Sequence, residues 1–202
     1  MRTKDPWYEL VSGSDVLMQG DLLENCPTAE LYRDKNDRSL KGIANIMNVV
    51  VLSQSCELAE AQAESFMVCH YVPLSTFEEK LQSAGANSDS IRNAKSDLGK
   101  DRRVGYHALN RCVLSGHEMP EPIVVDFHNI YGVPLDILRA AADAATNGRL
   151  RLCPPYREHL SQAFGQFFMK VALPVGYYNP IGEEHLPPED TVVGPGAEAA
   201  RT

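Results

Sequence analysis

The chain of 202 residues has no apolar run near the ~20 residues that a membrane-spanning helix needs; its longest lies around Ile46 to Leu52. Its opening, MRTKDPWYEL, lacks the apolar segment and small-residue site of a secretory signal, so no membrane association and a cytoplasmic location are expected. Basic residues are scarce: 19 Lys and Arg stand against 27 Asp and Glu, a net charge of −8. A protein that grips duplex nucleic acid by neutralising phosphates is usually basic, because each cation releases condensed counterions. Non-specific duplex binding is therefore disfavoured, although a local basic cleft remains open to the chain. Cysteine is sparse and scattered. Cys26, Cys56, Cys69, Cys112 and Cys153 are odd in number and form no CxxC pair. That pattern reads as reduced thiols, several of them in the core, and excludes a disulfide framework. No internal repeat is present.

What remains is ordinary globular material. Apolar residues make up 44% and charged residues 23%, close to average usage, so a chain of this length can bury a core unaided. Residues 15–24 read as an entering strand bent at Gly20, and 33–41 as a solvated loop. Val49-Val50-Val51-Leu52 has the β-branched run of a buried strand, 57–64 has helical composition, and 66–74 is a strand that Pro73 ends. Residues 77–103 hold 11 charged side chains and few large apolar ones, and they predict a helical insertion. Within it, Ile91, Ala94 and Leu98 are spaced for a weakly amphipathic surface helix. Strand character returns at 111–114 and 122–130, with a hairpin turn at 115–118. Residues 135–146 form an Ala-rich helix stopped by Asn147-Gly148, and 149–153 alternate as a short edge strand. After Pro154-Pro155, the residues Leu160, Ala163, Phe164, Phe167, Phe168 and Val171 trace a helical stripe. The expected organisation is one domain over 1–173 and a flexible Pro-, Gly- and acid-rich tail over 174–202. The fold class is mainly β with flanking helices (α+β), most economically a small barrel.

The order of these segments resembles the PemK/MazF family of toxin-like, SH3-type barrels. The matches are Gly20-Asp21, Val50 to Gln54, Val72-Pro73-Leu74-Ser75-Thr76, Val125-Asp126-Phe127, and Leu150 to Phe168, which together span roughly 16–172. The resemblance implies an SH3-like barrel and an endoribonuclease of a toxin-antitoxin or defence system, with RNA as substrate and no cofactor. It implies catalytic roles for Ser75, Thr76 and Asp126. The family's usual arginine positions are not kept, since Met47-Asn48 precede the second strand and Val124-Val125 precede Asp126. Cleavage of RNA by its own 2′-hydroxyl needs a base, an acid and a cation. Lys100, Arg102, Arg103 and Arg111 are the candidate substrate-binding cations, with Arg149 and Arg151 as further sources. His70, His107 or His117 could move protons.

Two other readings come from the residues themselves. Cys56 follows a strand end, and with His70 and Asp126 or Glu57 it could form a thiol hydrolase. Alternatively the barrel is a non-catalytic module for a nucleotide, for an antitoxin-like or other protein partner, or for a second copy of itself, with the Phe164 to Phe168 face as the docking surface. His107, Cys112 and His117 lack the spacing of a metal motif, so no metal site is expected. His128 shares the strand face of Asp126 by alternation.

Overall fold

In the computed structural model, which describes residues 6–61 and 63–169, the central element is a five-stranded antiparallel sheet. Its strands run β2 (Leu22–Arg33), β3 (Leu40–Val51), β4 (Ser65–Pro73), β6 (Ile123–Pro134) and β5 (Tyr106–Leu109), in that spatial order. A separate ribbon pairs β1 (Tyr8–Val11) with β7 (Arg149–Leu152). Among the described residues there are five helices: α1 (Ser55–Glu60), α2 (Leu74–Ser83), α3 (Ser88–Gly99), α4 (Leu135–Asp143) and α5 (Tyr156–Phe168). The α+β class is as expected. By strand pairing, however, the main sheet is open, with β2 and β5 as edges, and is not the closed barrel anticipated from the sequence. No helix among the described residues is long and apolar enough to cross a membrane. The anticipated tail over 174–202 lies outside the described residues.

Strand alternation sorts the core into separate layers. Leu22, Val50, Cys69, Tyr71, Val125 and Phe127 face inward with Tyr8, Leu150, Leu152 and Leu160 from the ribbon and α5. On the opposite face, Leu23, Val49, Val51, Val68 and Val133 pack under Leu58 of α1 and Leu138 of α4. Farther along that face Val72 and Val124 pack under Phe77 of α2 and Leu98 of α3. Cover on both faces explains why Val49 to Val51 are consecutive and all buried.

Several sequence expectations need correction. The charged stretch 33–41 is the tip of a long hairpin, because β2 and β3 pair continuously from Cys26/Met47 out to Arg33/Leu40. β3 meets β4 only over Val49 to Val51, so the outer hairpin projects as an arm whose strands, beyond Cys26 and Thr28 at its base, are largely exposed. The strand expected at 111–114 is instead β5 at 106–109, and only a single bridge, Cys112 to Met119, marks the predicted hairpin. The insertion is two helices. Its surface helix buries Ala94 and Leu98. β7 is not an exposed edge, since all four of its residues are buried between β1 and a bridge to Asp21.

That bridge explains the RLRL segment. Asp21 is fully buried, and its carboxylate meets Arg149 Nε at 3.0 Å and Arg151 Nε at 2.5 Å. The remaining four N–H groups of Arg149 donate to the carbonyls of Ser12, Gly13, Asp15 and Val16. Both arginines, candidate catalytic cations by sequence, are thus committed to holding the 12–21 loop against β7. Opposite charges buried together require each other, and removing one strands the rest. Asp21→Ala should therefore lower stability by about 3–5 kcal/mol, read as a drop in urea midpoint.

Candidate functional site

Between the stretch covered by α1 and α4 and the stretch covered by α2 and α3, the strand ladder is interrupted. β4 and β6 pair Cys69 with Ile130 and then Tyr71 with Val125, so His70 alone faces Asp126, Phe127, His128 and Asn129. This bulge is closed by its own chemistry. Asp126 Oδ1 accepts from the His128 backbone N–H at 3.1 Å and meets His128 Nδ1 at 2.9 Å, while Oδ2 accepts from Asn129 Nδ2 at 2.7 Å. The Phe127 N–H donates to the Gly105 carbonyl at 2.9 Å, tying the bulge to β5. Asp126 is nearly buried, with 13% side-chain exposure, whereas the His128 ring is half exposed. A carboxylate so placed fixes the imidazole's orientation.

Aromatic groups wall the ring. Tyr106 and Phe167 each lie 5.1 Å from the His128 centroid. Gly105 lies directly against it: φ is +90°, and a Cβ there would come within 2.2 Å of His128 Cε1. The guanidinium of Arg103 stacks over Phe77 and Tyr106 at 5.5 and 5.4 Å, and its buried Nε has no hydrogen-bond partner among the described residues. Burial and the Asp126 charge raise the Tyr106 pKa and Arg103 opposes them, so the phenol keeps its proton at neutral pH.

On the other side of Asp126, His70 Nδ1 meets the Asn48 carbonyl at 3.1 Å. A carbonyl can only accept, so Nδ1 carries the proton and Nε2 is the free base. Burial holds the His70 pKa below the ordinary imidazole value; Lys80 adds to this, while the Asn48 bond and Asp126 oppose it. At pH 7 the ring is neutral. Tyr131 completes the wall beside Glu30, with its hydroxyl at 2.8 Å from Oε1 and its pKa pushed up to about 12, chiefly by burial.

The structure gathers His70, Asp126 and Arg103 around one stretch of sheet, and it places the other anticipated residues elsewhere. Ser75 opens α2 and is occupied there, its hydroxyl donating to Glu121 Oε1 at 2.7 Å and its N–H to Oε2 at 2.8 Å. Thr76 follows it, partly buried in the same turn. Cys56 is exposed on α1 with its thiol toward Gln54 Oε1 at 3.7 Å, so its partner is neither His70 nor Asp126. Lys100 and Arg102 are exposed at the end of α3, and Arg111 is exposed beyond β5. His107 is buried against Asp101 and His117 meets the Asn147 carbonyl, so these two do not share a site with Cys112. Among the described residues no cluster of three or more His, Cys, Asp or Glu could hold a metal ion.

Sequence reasoning placed His128 beside Asp126 but omitted Gly105, Tyr106 and Asn129. The tripeptide Val104-Gly105-Tyr106 carried the available signal, a glycine entering a strand where a ring approaches the backbone closely. No family model, curated protein or solved structure matches this chain.

Two outcomes follow from this geometry. Gly105→Ala meets both the positive φ and the imidazole, so it should cost about 1–3 kcal/mol and shift the His128 ring resonances in an NMR spectrum. Under native conditions a thiol reagent should modify Cys56 first, with buried Cys26, Cys69 and Cys112 reacting only on unfolding. Labelling of Cys56 far faster than a small-molecule thiol would instead mark an activated nucleophile.

Proposed function

We propose that this chain is a divergent PemK/MazF-like, toxin-related endoribonuclease that acts in the cytoplasm on single-stranded RNA through the groove around Asp126. One observation carries the reading: a single carboxylate lies between two imidazoles, with a stacked guanidinium close by. His70, neutral with Nε2 free, takes the proton from the RNA 2′-hydroxyl as that oxygen bonds to phosphorus. His128, paired with Asp126, gives its proton to the departing 5′-oxygen as the P–O5′ bond breaks. The products are a 2′,3′-cyclic phosphate and a 5′-hydroxyl. Arg103 supplies the cation for the pentavalent phosphorus, replacing the arginines absent from the family's usual positions. Tyr106 and Phe167 offer faces on which a base stacks.

The barrel implied by the resemblance is, in this reading, split into a sheet and a ribbon around one inner core. Two links support it: the Asp21–Arg151 bridge, and the Tyr8 hydroxyl donating to the Asn110 carbonyl at 2.7 Å. A second reading, a module for an antitoxin-like protein or a second copy, is favoured by the arm. There Leu31, Leu40 and Ile46 are 74%, 64% and 64% exposed on one face of the hairpin.

A mixed single-stranded RNA should be cut by the parent protein and about 100-fold or more slowly by His128→Ala, Asp126→Ala, His70→Ala or Arg103→Ala. The acid limb of kcat/KM should lie below pH ~6.5, because burial lowers the His70 pKa, and His70→Ala should remove that limb. Absence of cleavage by folded parent protein, or cleavage unchanged by these substitutions, rules the reading out and favours partner binding.

A further inference from the structure

A second polar cavity opens on the inner side of the sheet. His70 and Tyr71 are neighbours in β4, so they project to opposite faces. Tyr71 lines a cleft of about 460 Å³ between the bulge at Glu24 and Asn25, the loop 116–119, and the stretch 144–150 that follows α4. That volume falls within the range of small-molecule sites, ~300–1,000 Å³. Tyr71 is only 5% exposed, and no hydrogen bond reaches its hydroxyl among the described residues. Burial and the charge of Glu24 both raise its pKa, so the hydroxyl is protonated and close enough to Glu24 to feel it. The hydroxyl is not among the sealed side-chain atoms of the described residues, so the nearly buried ring presents it to the cleft, where a bound group can meet it.

The surroundings specify the sign of that partner. Glu24 and Glu118 both line the cleft with exposed carboxylates. The C-terminal end of α4, the negative end of its dipole, contributes Ala141, and Ala144 and Ala145 follow. Arg149 also lines it, yet all five of its guanidinium N–H groups are spent on Asp21, Ser12, Gly13, Asp15 and Val16. It has no donor left for an anion. His117, with Nε2 at 2.9 Å from the Asn147 carbonyl, spans the cleft from the 116–119 loop to the turn after α4.

We propose that this cleft binds an organic cation, a guanidinium or primary ammonium group, held by Glu24 and Glu118 and donating to the Tyr71 hydroxyl oxygen. The group could belong to a free polyamine-like molecule or to a basic side chain of a polypeptide. Calorimetric titration of the full chain with agmatine and with a capped Gly-Arg-Gly peptide separates these sources. Saturable 1:1 binding of either is expected, weakened about tenfold or more by Glu24→Gln and several-fold by Glu118→Gln and Tyr71→Phe. Both glutamates are exposed, so their substitution leaves the fold intact, which thermal melting checks. Tighter binding of the peptide assigns the cation to a protein partner, and tighter binding of agmatine to a small molecule. Failure of both probes to bind the parent overturns the proposal. So does equal binding by the Glu24→Gln/Glu118→Gln double variant, or saturable binding of inorganic phosphate that Glu24→Gln strengthens.

Discussion

A carboxylate with no access to water sits where the first and last parts of this fold meet. Asp21 sits at the entry to β2 with its side chain between Arg149 and Arg151, and the backbone on either side of it is equally engaged. Val51 donates to the Asp21 carbonyl at 2.9 Å, Gly20 donates to Val51 at 2.9 Å, and Leu152 donates to Gly20 at 3.0 Å. One residue thereby joins the five-stranded sheet to the β1/β7 ribbon. The arrangement depends on completeness. Desolvating three charges is expensive, and only the full set of hydrogen bonds, including those to the 12–16 carbonyls, offsets that cost. Gly20, at φ +85° with Leu152 and Arg157 within 3.2 Å of where a Cβ would be, lets the chain pass close enough to make them.

The same economy shapes the groove on the outer face. A regular ladder through β4 and β6 would place a single side chain opposite His70. Looping out four residues instead sets a carboxylate, an imidazole and an amide there, and the carboxylate restores the lost pairing through the His128 N–H. The two helical covers stop on either side of this irregular stretch. The part of the sheet poorest in ladder bonds is therefore also the part left open, while the regular stretches under Leu138 and Phe77 are sealed. The inner cleft likewise lies at the break in β2 pairing between Leu23 and Cys26.

Much of the fold was legible where burial imposes a period. Val49 to Leu52, Phe66 to Pro73 and Ile123 to Phe127 announce themselves as strands because both faces are covered, and the Phe164 and Phe167 stripe because it packs on Phe127. The arm from Cys26 to Met47 was invisible, since one face is exposed throughout and the other buries only Cys26 and Thr28 at its base, too little apolar alternation to mark a strand. β1 escaped notice because its four residues acquire meaning only against β7, far along the chain. The site divided the same way. Asp126 and His128 share a face by simple alternation, whereas Arg103 comes over the Tyr106 ring beside them only through the left-handed turn at Asp101 and the fold of α3 onto the sheet. Ser75 matched a motif position, but the nearby carboxylate of Glu121 takes its hydroxyl, a competition that a motif cannot reveal.

The arginines that satisfy Asp21 lie 128 and 130 residues downstream, and the ring of Phe167, which walls His128, comes later still. During synthesis a long stretch of the sheet therefore emerges with its central acid unanswered and its groove unwalled. The described fold closes only when β7 and α5 arrive, so the site is assembled after most of the sheet has been made. A partly made protein would present neither a settled core nor a finished groove, and quality control acting on exposed Leu22 and Val50 would meet it first.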